Sequence, residues 1–174
     1  FEKAAQLGVN VTPVWNKSNR EHQMIHTRPE DVRREADAAV QALKWRGPYH
    51  VDADHISLTN VDGFLAASDF FTLDVAEFTG RPAEPAAIAA FVRRHRRYTG
   101  SLTIPGMTSG CAISEALIEA VAGKYLLAVQ EAGRLYRHIE SVKGQGGFIA
   151  EVSMDETDRP QTPIELFFIL AAIA

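Results

Sequence analysis

Four short apolar segments recur along this chain, alternating with helical patterns, and each passes into polar residues as it ends. Short apolar strands that alternate with helices argue for a parallel sheet covered by helices. Residues 9–15, "VNVTPVW", are β-branched and make the first strand candidate. "YHVDADHI" at residues 49–56 is the second, "DFFTLDVA" at 69–76 the third and "FIAEVSM" at 148–154 the fourth. The pattern predicts the order β-α-β-α-β-α-α-β-α and the α/β class.

Start and stop signals locate the helices. Thr27, Pro29 and Glu30 read as a capping box with proline in the first turn. The helix they open runs to about Trp45 and carries Val32, Ala36, Ala39, Val40 and Leu43 on one face, until Gly47 and Pro48 end it. Thr59 and Asp62 can cap a short helix. Another helix starts near Pro85, and a long one runs from about Ser114 to Val142 before "GQGG" breaks it. Thr162, Pro163 and Glu165 make a second capping box, which turns "IELFFILAAIA" into a helix rather than a strand. That helix is apolar nearly all round, so cover on most sides is expected. "FEKAAQLG" reads as the last turns of a helix closed by Gly8. With an apolar run at the far end, the chain is expected to be an interior piece of a longer protein.

Composition narrows the classes. The 174 residues are 46% hydrophobic and 23% charged, enough for one domain with a core. A net charge of −4 argues against nucleic acid as the main partner. The basic run Arg93–Arg97 has no interleaved aromatics and reads as a solvated helix end. No stretch reaches the ~20 apolar residues of a membrane span, so no membrane partner is expected. A single cysteine, Cys111, allows no internal disulfide and points to a reducing, cytoplasmic setting.

The polar residues at the strand ends carry the chemistry. In parallel α/β folds the ligand site lies at the carboxyl ends of the strands. The first strand ends in Asn16, Lys17 and Ser18, and the second in Asp54 and His55. Asp74 stands near the end of the third, and the fourth runs into Glu151, Ser153 and Asp155. Alternation puts Asp52 with Asp54 on one face and Glu151, Ser153 and Asp155 on another. In a closed barrel such groups converge inside the mouth. Each also has a plainer reading. Asp52 is a ligand contact or a buried structural acid; Asp74 is a ligand contact, a buried structural acid or the cap of the next helix. Lys17 is a ligand contact or a solvated loop lysine. Asp155, Glu156 and Asp158 read as a solvated turn, His50 and His138 as packing or surface residues, and His22 and His26 as local partners in a polar loop. Asp54 and His55 have the fewest structural reasons to end a strand.

At "TPVWNKSNREH", "YHVDADHISL", "FFTLDVA" and "EVSMDETDRPQTPIELFFILAAIA" the sequence resembles the tagaturonate epimerase family, whose members interconvert tagaturonate and fructuronate. "VDADH" and "EVSMDE" are the most specific parts. The resemblance implies a (β/α)8 TIM-type barrel, of which this chain as a single partial domain over residues 1–174 holds about four of eight strands. It also implies a divalent metal: zinc, nickel, manganese or iron. Carried over by motif, Asp54 is the proton acceptor, His55 a metal ligand and Glu151 the proton donor. Further histidine ligands are expected beyond Ala174. Lys17, Asp52, Asp74 and Ser153 are left as substrate-binding candidates for a ketouronate or ketose. Fructose/tagatose 4-epimerisation is a related activity. The alternatives are a non-catalytic or carbohydrate-binding barrel fragment and a metal-dependent sugar aldolase or isomerase. A part-barrel leaves strand edges open, so self-association into a homo-oligomer is also expected.

Overall fold

The structure is a computed structural model that describes residues 1–154 and 159–174, together with all of their side chains except that of Glu2. Asp155, Glu156 and Asp158 therefore lie outside the described residues. The chain gathers into two compact units. One holds Phe1–Asp74 and Leu135–Ser153, the other Val75–Arg134 and Met154–Ala174.

The first unit is built on a four-stranded parallel sheet. Its strands are β1 (Val14–Ser18), β2 (His50–Ile56), β3 (Phe70–Asp74) and β6 (Ile149–Ser153), in that spatial order. One face is apolar and covered. Ala53, Ile56, Phe71 and Leu73 form a cluster with Val61, Phe64, Leu135 and Ile139, and Val152 packs against it. Leu135 and Ile139 come from the last part of helix α5 (Glu115–Lys143). Val32 and Ala36 of helix α3 (Pro29–Ala42) cover Val51 beside β1. The other face carries Asn16, Asp52, Thr72, Asp74, Glu151 and Ser153. These residues alternate with the core residues along each strand, as a pleated sheet requires.

Several elements depart from the sequence expectations. The first strand begins at Val14, not Val9, because Pro13 has no N–H to give to a ladder. Asn16 and Lys17 consequently lie inside β1 rather than beyond it. The stretch expected to be a polar loop holds helix α2 (Asn19–Ile25). Ser18 caps it by a reciprocal box: Glu21 N–H donates to Ser18 Oγ (3.3 Å) and Ser18 N–H to Glu21 Oε2 (2.8 Å). At α3 the cap is Arg28, whose N–H donates to Asp31 Oδ2 (2.7 Å). Thr27 instead lies 2.9 Å through Oγ1 from His22 Nδ1. The short helix expected after β2 is a single 3-10 turn at Val61–Gly63. Helix α1 (Glu2–Gln6) ends at Gly8, whose φ of +72° suits glycine.

The second unit holds helices α4 (Pro85–His95) and α6 (Pro163–Ile173), the first part of α5, and a hairpin the sequence does not announce. Its strands β4 (Gly100–Leu102) and β5 (Cys111–Ile113) are antiparallel and three residues each, too short for alternation to register. Phe91, Tyr125, Phe168 and Ile169 are buried here with Ile118 and Val121. The expected box at α6 is present: Glu165 N–H donates to Thr162 Oγ1, and Glu165 also accepts from Lys124 Nζ at 3.1 Å. Phe168 and Ile169 are covered, while Leu166, Leu170 and Ile173 are exposed.

Replacing Ser18 by alanine removes the α2 cap at the point where β1 hands over to the helix. Urea unfolding should show a loss of about 1 kcal/mol. An unchanged midpoint would mean that the box contributes nothing.

Candidate active site

The polar end of β2 is irregular. Ala53 pairs with Phe71 and Ile56 with Leu73, so Asp54 and His55 together stand against Thr72 alone. This is a β-bulge, an uncommon feature in a parallel pair. His55 takes up the extra residue with φ +50°, a left-handed conformation that non-glycine residues adopt at a cost of order 1–3 kcal/mol. Strict alternation would put Ile56 on the face of Asp52 and Asp54. The inserted residue returns Ile56 to the core, where it is fully buried, and leaves both Asp54 and His55 partly open to solvent.

His55 stands between two acids. Its Nε2 is 3.8 Å from Asp54 Oδ1, and its Nδ1 is 3.8 Å from Asp74 Oδ2 at the end of β3. Asp74 is in register with Ser153 of β6, and Thr72 with Glu151. Glu151 is exposed on that face. Asp52 lies deeper, 6% exposed. Its carboxyl accepts from Thr72 N–H at 3.1 Å and from Thr72 Oγ1 at 3.0 Å. Burial pushes the Asp52 carboxyl up to about 6; the two Thr72 hydrogen bonds oppose that shift, and the charges of Asp54 and Glu151 add to it. The structure thus brings Asp52, Asp54, His55, Asp74, Glu151 and Ser153 onto one face of one sheet.

Lys17 does not join them. It is in register with Ala53, on the helix-covered side, and its charge acts on the buried His22. His22 is held by Thr27, and burial is the largest cause lowering its pKa. His50 begins β2, at the far end of the sheet, with Nδ1 3.5 Å from Asp69 Oδ2. His138 Nε2 lies 2.6 Å from Asp62 Oδ1. Sequence reasoning passed over Thr72. Its signal was weak: one hydroxyl between Phe71 and Leu73, at the alternation position shared with Asp74.

A divalent cation needs donor atoms that converge at about 2.0–2.2 Å from one point. Among the described residues no group of three or more His, Cys, Asp or Glu side chains is arranged to hold one. The reason is visible at His55, whose two ring nitrogens face different acids. His55 with one carboxylate is a partial donor set.

The fold is similar to that of the fructuronate-tagaturonate epimerase UxaE from Cohnella laeviribosi. Two glycerol-complexed crystal structures of that enzyme match with a TM-score of 0.67 and 19% identity over 90% of this chain. Its native crystal structure matches with a TM-score of 0.62 and 18% identity. The match covers 34% of that enzyme's chain, so this chain spans about a third of its length. At such identity the likeness is one of fold. No family model and no curated protein matches the sequence. Among the described residues no helix is long and apolar enough to cross a membrane.

The raised Asp52 carboxyl carries a pH signature. Its folded value of about 6 exceeds the ordinary ~3.9 of an unfolded chain, so between those values the native state binds more protons. Stability should therefore fall as pH rises from about 4 to about 6 and level off above. Asp52→Asn removes this dependence. Its stability relative to the parent should rise by up to about 3 kcal/mol between pH 4 and 7, read by denaturant unfolding at each pH. A difference that is constant with pH would show that Asp52 is an ordinary carboxylate.

Proposed function

We propose that this chain is the site-bearing part of a sugar epimerase that interconverts tagaturonate and fructuronate, built as part of a (β/α)8 barrel. One observation carries the reading: the Asp54–His55–Asp74 cluster and Glu151 share the open face of a parallel sheet, in a fold similar to part of a fructuronate-tagaturonate epimerase. A (β/α)8 barrel carries its site at the carboxyl ends of its strands, where Asp54, His55, Asp74 and Ser153 stand, and this supports the barrel reading.

The two ketouronates differ at a carbon one step beyond the α position of the ketone. Its C–H is not acidified by the carbonyl, so simple enolisation does not reach it. Retro-aldol cleavage does. Asp54 takes the proton of the hydroxyl on that carbon, and the bond to the α carbon breaks to give an aldehyde and an enediolate. The aldehyde rotates and the bond re-forms on its other face. Glu151, one strand beyond β3, protonates the new alkoxide, and the two carboxyl groups then reset by exchange with solvent. Asp74 and Ser153 bind substrate hydroxyls at the strand ends. His55 would be one ligand of a divalent cation, with a neighbouring carboxylate as a second. When bound, such a cation acts as a Lewis acid toward the ketone oxygen.

Metal analysis and an assay on fructuronate in the full-length protein test this. His55→Ala should lower bound metal and activity together. Glu151→Gln should lose at least about 100-fold in kcat while keeping its metal, since it removes a proton-transfer group and no ligand. Loss of metal in the Glu151→Gln protein would recast Glu151 as a ligand, and a fully active one would remove it from the mechanism.

A further inference from the structure

The bulge in β2 departs from the regular strand, and something must hold it. Asp52 and Thr72 lie where it starts. Asp52 is in register with Phe70, yet both its hydrogen bonds run to Thr72, two residues further along β3. Its side chain therefore leans toward the carboxyl end of the sheet and bridges the point where the register shifts. Thr72 is the residue opposite Asp54 and His55, and it donates to Asp52 through both its N–H and its hydroxyl. Two donors on two different oxygens fix the carboxyl plane. Both residues are nearly closed to solvent, Asp52 at 6% and Thr72 at 4% exposure.

We propose that Asp52 and Thr72 form a positioning clamp that holds the bulge and so fixes the aim of Asp54 and His55. This replaces the expectation of a substrate contact at Asp52: a buried acid with both oxygens engaged has little to offer a ligand. Without the clamp only the burial of Ile56 opposes relaxation of the strained φ of His55 to a regular strand. Period-two alternation would then turn His55 toward the helix-covered side while Asp54 stayed on the open face. The pair that faces Asp74 and Glu151 would be split. The raised carboxyl of Asp52 fits this role, because an uncharged group can serve as well as a charged one there.

The inference rests on the reading of His55 as a cation ligand, and the test separates the two. In the full-length protein, Asp52→Ala should weaken zinc binding and lower kcat, each by about 10–100-fold, as loss of a group that orients a ligand does. Asp52→Asn keeps an acceptor for the Thr72 N–H and should recover both to within a few-fold. With histidines labelled in 15N, the His55 ring resonances should move in Asp52→Ala and stay near the parent positions in Asp52→Asn. Thr72→Val, which keeps the N–H but loses the hydroxyl, should move them in the same direction; it carries the test if Asp52→Ala does not fold. A raised KM at unchanged kcat in Asp52→Asn would make Asp52 a substrate contact and overturn the clamp. So would His55 resonances that do not respond in a folded Asp52→Ala or Thr72→Val protein. If the parent binds no zinc and epimerises nothing while the resonances still move, the clamp stands and the functional reading falls.

Discussion

The extra residue in β2 is the constraint on which the site depends. A strand presents its side chains alternately, so consecutive residues such as Asp54 and His55 belong on opposite faces. The bulge breaks that rule at one place and restores it at the next. It keeps Ile56 in the core with Ala53, Phe71 and Leu73, while Asp54 and His55 remain beside Asp74. A regular strand could satisfy the core or the site at this point, but not both.

Around the bulge the helix-covered face is mainly apolar and the other mainly polar, although Phe70 and Ile149 stand in register with Asp52 on the open face. The covered face is aliphatic and aromatic, and its burial stabilises the unit: replacing a fully buried phenylalanine such as Phe71 by alanine typically costs about 3–5 kcal/mol. The open face gives up that gain at Asp52, Thr72, Asp74 and Glu151. Stability and chemistry are thus written on alternate residues of the same strands. "HVDADHI" and "FFTLD" mix apolar and acidic residues for this reason.

Much of this was legible in the sequence. The second, third and fourth strands were found within about two residues because their apolar runs are bounded by turn residues. The acids at their ends were visible for the same reason. Helix α2 was missed although Ser18 and Glu21 have the spacing of the box that located α6; its polar composition hid it. The bulge could not be read, because it is a property of pairing between β2 and β3 and leaves no mark in β2 alone. The face on which Lys17 falls could not be read for a related reason. With β1 starting after Pro13, its register with Ala53 sends the side chain to the covered face.

Electrostatics gives the open face its remaining tension. Asp52, Asp54, Asp74 and Glu151 share it with the His55 imidazole. Like charges held close favour neutralising one of them, and the deepest is the natural choice because it also loses the most hydration. Asp52 answers that description: burial moves its carboxyl up to about 6, and Asp54 and Glu151 push it the same way. Asp54 and Asp74 lie nearer solvent, on either side of His55, where a positive partner can reach them. The bulge that gives His55 its left-handed φ is also what sets the imidazole between two carboxylates. In that sense the strain at His55 and the crowding of acids have one origin. Both are tolerable in the fold because the covered face of the same strands holds the sheet in register.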